Sequence, residues 1–366
     1  MTGSTPARRE VARRWPAEWE PHRATWLSWP HNKETWPSGL AVVEDAFSEI
    51  VRAILPGEDV EILIGDAASA ERVRGLLLGA GIGPIERVRF HEVPTNDAWI
   101  RDHGGVFVHA SSGAASTASS QDESTVIDFV FDAWGGKYPP WDLDAEVAAA
   151  MAAVRGVHCE KSAYVLEAGS VEGDGEGTIL TTESCLLNPN RLRAGQSRRR
   201  EEMEALLEST LGARQILWLG EGIRGDDTDG HVDDLTRFVS PARVVTAVER
   251  DSRDENFAAL AENRRRLTRM TDALGRSLDV IDLPMPRRIV SGGDRLPASY
   301  ANFYVSNASV LVPVFSVDAD REALGIFEGL FPDRAIAPIP ARDLVEGLGA
   351  VHCVTQQEPE PPRRAS

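Results

Sequence analysis

Near the end of the chain stands Gly347-Leu348-Gly349-Ala350-Val351-His352-Cys353-Val354-Thr355-Gln356-Gln357. A cysteine packed as a small hydrophobe would sit among leucines and valines on both sides. Cys353 instead follows two glycines, which permit a tight backbone turn, adjoins a histidine and precedes a polar run. That setting presents a thiol to a site, and a nucleophilic thiol needs a base or acid beside it and groups that hold a substrate.

Four polar clusters supply candidates. The first, Thr95-Asn96-Asp97-Ala98-Trp99-Ile100-Arg101-Asp102-His103-Gly104-Gly105, follows an expected strand, where α/β proteins place binding groups. Its acids and its indole suit a flat cation; a solvated turn in which Asp97 caps Arg101 is the competing reading. The second, Gly225-Asp226-Asp227-Thr228-Asp229-Gly230-His231-Val232-Asp233-Asp234, carries a His-x-Asp pair. On an extended segment both side chains would face one way, and a neighbouring carboxylate favours the charged imidazole. A solvated or cation-binding acidic loop would read the same. The third, Leu166 to Thr178, has irregular glycines matching neither a dinucleotide fingerprint nor a phosphate loop, and hairpin chemistry at Asp174-Gly175 accounts for it. The fourth, Ser299-Tyr300-Ala301-Asn302-Phe303-Tyr304, offers Asn302 as a hydrogen-bonding group. Cys185 and Cys159 read as packed thiols.

The elements that must position these groups alternate. Helical periodicity over 41–55, 67–78, 201–211, 256–274 and 320–331 is interleaved with strand-like runs at 60–64, 88–93, 215–219, 243–249, 278–283 and 310–314. Such alternation predicts an α/β fold. One domain over 14–357 is expected, with a Ser/Ala/Thr/Gly-rich excursion at 110–124 and frayed tails at 1–13 and 358–366.

Composition narrows the partners. The 366 residues carry 39 Lys+Arg against 57 Asp+Glu, a net charge of −18. That balance opposes nucleic acid and anionic membrane surfaces and accommodates a cationic substrate. No membrane span and no apolar leader segment are expected. Three cysteines without CxxC spacing argue against a disulfide framework or a cysteine-rich zinc site and favour a reducing cytoplasm.

Taken together the segments resemble the agmatine deiminase family, which includes the bacterial peptidyl-arginine deiminases. The likeness begins at Trp15-Pro16-Ala17-Glu18-Trp19-Glu20-Pro21-His22 and continues through Asn96-Asp97, Trp99 and Arg101-Asp102. It proceeds by Asp132-Ala133-Trp134-Gly135-Gly136-Lys137-Tyr138, Asp174-Gly175-Glu176-Gly177-Thr178 and Asn188-Pro189-Asn190-Arg191. It ends at Gly230-His231-Val232-Asp233, Asn302-Phe303 and His352-Cys353. The resemblance implies a pentein fold, an α/β propeller of five pseudo-symmetric ββαβ units around a central site. It implies hydrolysis of a guanidinium to a ureido group, with agmatine as the leading substrate. Peptidyl arginine, or transfer of the amidino group to an amine, are the alternatives. It further implies Cys353 as nucleophile, His231 as general acid/base, and Asp102 and Asp233 as guanidinium-binding carboxylates. Asn302, Trp99, Asp97 and Asp227 become substrate-binding candidates. No metal or organic cofactor enters this scheme, and a homodimer is expected. The chain departs from the family pattern at Ala98, Ile100, His103 and Gly105, and at Leu348 and Ala350 before the cysteine.

Overall fold

The computed structural model describes residues 13–111, 122–193 and 196–361. Five of its sheets repeat one connectivity, in which an antiparallel pair is followed by a helix and then by a strand parallel to the second. A parallel return demands a crossover, and each helix supplies it. In one sheet Val106–Ser111 pairs with Asp122–Val130, and helix Val147–Arg155 leads to His158–Val165. In the next, Val171–Gly173 and Thr178–Thr182 precede helix Arg200–Leu211 and Gln215–Leu219. Thr236–Ser240, Arg243–Val248, helix Phe257–Leu267 and Asp279–Pro284 form the same unit again. So do Tyr304–Val305, Ser309–Val314, helix Ala319–Leu330 and Ala335–Pro340. The remaining sheet joins the two ends of the described chain: Gln356–Pro359 runs antiparallel to His22–Ser28, and helix Leu40–Ile54 then leads to Asp59–Ile64.

The helices pack through apolar stripes of helical period. In Leu40–Ile54, Val43, Phe47, Ile50, Val51 and Ile54 are fully buried, each side chain contributing about 1.5–3 kcal/mol by leaving water. No helix among the described residues is long and apolar enough to cross a membrane.

Several boundaries differ from the sequence reading. The helix expected over 256–274 ends at Leu267, because Asp272 turns the chain by accepting from the amides of Leu274 and Arg276. Both ends of the excursion expected at 110–124 are strand instead, since Ala110 pairs with Glu123 and His109 with Ser124; residues 112–121 lie outside the described ones. The first residues of the tail expected from 358 belong to a sheet. Glu358 and Pro359 pair with Ala24 and His22, and Glu358 accepts from Trp26 Nε1 at 2.8 Å. At the other end Arg13 already pairs with Ala110, while residues 1–12 and 362–366 are outside the described set.

Candidate active site

Cys353 lies on the turn that enters the closing strand Gln356–Pro359, and it forms part of the lining of a cavity of about 630 Å³. Its Sγ receives Asn302 Nδ2 at 3.2 Å and stands 3.8 Å from Asp233 Oδ2. Its carbonyl accepts the Arg101 amide at 3.1 Å, tying the Cys353 turn to the segment that carries Asp102. The preceding glycines serve close approach, where tight turning was expected. A Cβ on Gly347 would meet Trp36 and Trp99 at 2.6 and 2.8 Å, and one on Gly349 would meet Trp99 at 2.5 Å. The left-handed residue between them is Leu348, at φ 71°.

Asp102 sits in the short helix Ile100–His103. Trp134 Nε1 donates to its Oδ2 at 3.0 Å and the Gly169 amide to its Oδ1 at 3.2 Å. His231 stands between two acids, with Nδ1 3.7 Å from Asp102 Oδ1 and Nε2 3.8 Å from Glu167 Oε2. Asp226 Oδ2 and Thr228 Oγ1 both accept the His231 amide at 3.1 Å. The His-x-Asp segment is not extended: residues Val232–Asp234 form a 3-10 turn, closed by the Leu235 amide on the Val232 carbonyl. His231 and Asp233 nevertheless converge on one point. A Cβ on Gly169 would lie 2.6 Å from His231 Nδ1, 2.8 Å from Asp102 Oδ1 and 3.1 Å from Asp233 Oδ2. Only a glycine fits where these three side chains meet.

The charges are set by mutual proximity in a water-poor interior. Burial pushes the Asp102 carboxyl up to about 6 against the pull of His231, with Asp233 and Glu167 adding to the rise. Burial disfavours the His231 imidazolium, but Asp102 and contacts from Cys185 and Glu167 outweigh it and raise the pKa well above the usual value. The Cys353 thiol is pushed well up, first by burial and then by Asp233, Asp234 and Asp102. Glu167 is held down to about 2, because Arg191 and His231 overcome its burial. Asp233 stays low despite burial through its bond to His352, whose Nδ1 lies 2.7 Å from Asp233 Oδ2 and whose Nε2 lies 2.9 Å from Glu18 Oε2. The resting arrangement is a thiol, an imidazolium and carboxylates facing one another, an environment that gains from an added planar cation.

The eight residues singled out in the sequence occupy different depths. Asp97, Trp99, Asp102, Asp227 and Cys353 line the cavity. His231, Asp233 and Asn302 lie behind that lining, at 1%, 0% and 0% exposure. Asn302 braces the Cys353 turn: besides Cys353 it donates to Asp234 Oδ1 at 3.0 Å and accepts the His352 amide at 2.9 Å. Asp97 accepts from Thr35 and Asn32 and from the Ala98 amide, and does not cap Arg101. Asp227 is at the mouth, engaged by Tyr138 and Lys137. The sequence reading missed Glu167, Trp134 and Gly169. It assigned hairpin chemistry to 166–178, and that holds at Gly175, with φ 73°. The start of the segment, however, is the separate 3-10 turn Ala168–Ser170. A Glu-x-Gly written just before a strand was the available sign.

A family model described as Porphyromonas-type peptidyl-arginine deiminase matches residues 14–359. The agmatine deiminase of Ectopseudomonas mendocina is 36% identical over 386 residues, covering 99% of each chain. That of Stutzerimonas stutzeri is 35% identical with the same coverage. The solved agmatine deiminase of Enterococcus faecalis superposes with a TM-score of 0.85 at 33% identity, covering 98% of both chains. The α/β fold described above is thus the pentein fold of that enzyme. With nearly the whole chain matched, and a thiol, an imidazole and carboxylates gathered from four separate segments, this protein belongs to the Porphyromonas-type peptidyl-arginine deiminase family.

Proposed function

We propose that the protein is an agmatine deiminase, hydrolysing the guanidinium of agmatine to N-carbamoylputrescine and ammonia. The observation that carries the choice of substrate is the cavity's lining. Among the described residues six acids face it (Glu34, Asp97, Asp102, Asp144, Asp227 and Glu346) against one lysine and no arginine. That lysine, Lys137, is itself paired with Asp229 at 3.0 Å. A lining of this kind suits a molecule cationic at both ends. It offers little to the α-carboxylate of free arginine, for which a guanidinium fork is the fitting partner.

In this reading Asp102 and Asp233 hold the planar guanidinium through paired hydrogen bonds. Among the described residues His231 makes no hydrogen bond to Cys353, so the incoming cation is what stabilises the thiolate. The Cys353 proton leaves to solvent and the thiolate adds to the amidine carbon. His231 gives its proton to the departing amine, and the carbon–nitrogen bond breaks to leave ammonia and a thiouronium adduct. Neutral His231 then takes a proton from water, the resulting hydroxide attacks the same carbon, and the carbon–sulfur bond breaks as the hydroxyl proton passes to the departing sulfur, returning the Cys353 thiol and the His231 imidazolium with the ureido product. Glu167 keeps His231 oriented and charged, and Asn302 aims the sulfur. Trp99, Asp97 and Asp227 form the walls along which the substrate's chain lies. The same proposal carries a five-unit propeller, for which the five repeated connectivities speak, along with a cytoplasmic setting and a homodimer.

Ammonia release from agmatine, free arginine and an arginyl peptide, with Cys353→Ala as control, tests the reading. Turnover of agmatine that is lost in Cys353→Ala is the expected result. Turnover of the peptide alone would keep the chemistry and overturn the substrate, and full activity in Cys353→Ala would overturn the mechanism.

A further inference from the structure

Cys185 reads in sequence as a packed thiol, and it is fully buried in the short helix Glu183–Leu186. Its surroundings are not those of a core residue. One ligating atom from each of Glu167, Cys185 and His231 falls within 4.8 Å of the others, and all three residues are 0–1% exposed. His231 Nε2 is buried on this side without a hydrogen-bond partner, 3.8 Å from Glu167 Oε2. Zinc bonds of about 2.0–2.3 Å set tetrahedral donors about 3.3–3.8 Å apart, so small side-chain movements complete the triangle.

The outer supports of a metal site are also in place. Arg191 Nε bonds both Glu167 oxygens, at 2.9 and 3.0 Å. Asp102 faces the other nitrogen of His231, the carboxylate–histidine arrangement that orients metal-bound imidazoles. The Arg191 charge opposes a cation here, while Asp102, Asp226 and Asp233 around the same histidine favour one. A thiolate, an imidazole and a carboxylate together select a zinc-like ion over magnesium or calcium.

We propose that Glu167, Cys185 and His231 form an inhibitory site for a thiophilic divalent cation. The ion occupies His231 Nε2 and displaces the protons of the Cys185 thiol and the imidazolium to solvent, leaving the acid/base unable to carry a proton. The inhibitory consequence rests on the role proposed for His231; the binding site does not.

Cobalt(II) added to Cys353→Ala protein reads the site without any turnover. A thiolate-to-cobalt charge-transfer band at one equivalent, displaced by zinc and lost in Cys353→Ala/Cys185→Ala, is expected. No band, or a band that survives loss of Cys185, would overturn the site. In the active enzyme, zinc inhibition reversed by a chelator should need at least about tenfold more zinc in Cys185→Ser, each protein being compared with its own metal-free rate. Equal sensitivity would assign the inhibition to Cys353 instead. The serine variant preserves the side-chain volume should the alanine variant not fold.

Discussion

The floor and the mouth of the cavity are built on opposite terms. At the floor Glu167, His231 and Asp233 are at most 1% exposed and Asp102 is 5% exposed, so each charge answers to its neighbours. At the mouth the side chains of Asp227 and Lys137 are 45% and 27% exposed, and water screens what they say to one another. The floor fixes protonation states and hence the reaction. The mouth contributes attraction that can be altered at modest cost, and the departures from the family pattern at Leu348 and Ala350 fall on the turn between the two regions.

The sharpest way to break this contrast is at Glu167. Glu167→Gln leaves Arg191 with Asp229 as its ion-pair partner and removes the acid beside His231 Nε2, so kcat should fall by about 10²–10³ while agmatine binding to Cys353→Ala/Glu167→Gln changes little. Loss of binding with kcat intact would move Glu167 from the reaction to recognition.

Acidity gives a smaller effect. Asp102 holds its proton up to about 6 in the folded protein against 3.8 normally. The stability lent by that proton is therefore complete below 3.8 and lost as pH rises through about 6. A guanidinium cation prefers the ionised form, so calorimetry should find agmatine binding to Cys353→Ala about tenfold tighter at pH 7 than at pH 5. The ligand's thermal stabilisation should grow in step, and a flat profile would remove Asp102 from the cation's contacts.

Smallest is the mouth. Asp227→Asn should raise the agmatine KM roughly fivefold, the size of a half-exposed ion pair of about 1 kcal/mol, with kcat within about twofold. A collapse of kcat would erase the distinction between the two regions.

What the sequence discloses follows the range of each interaction. The crossover helices and parallel strands are legible because amphipathic period is local: Leu40–Ile54 and Gln215–Leu219 fall within a residue of the reading. The strands Val106–Ser111, Asp122–Val130 and Gln356–Pro359 escape it, since their pairing depends on partners elsewhere in space. Among site residues, Cys353, His231, Asp102 and Asp233 stand in clusters of unusual composition and in family motifs. Glu167 stands in such a cluster too, but hairpin chemistry accounts for that segment, and the meaning of this acid comes from Arg191 24 residues away and from His231 across the fold. Gly169 is similar: its necessity is visible only once three side chains are seen converging on it.

The strand that follows Cys353 pairs with one that begins at His22, and Trp26 donates to Glu358 across 332 residues of sequence. Contacts of such high sequence separation carry a large loop-closure cost and slow a folding reaction. Forming that sheet and seating the Cys353 sulfur are thus one and the same step.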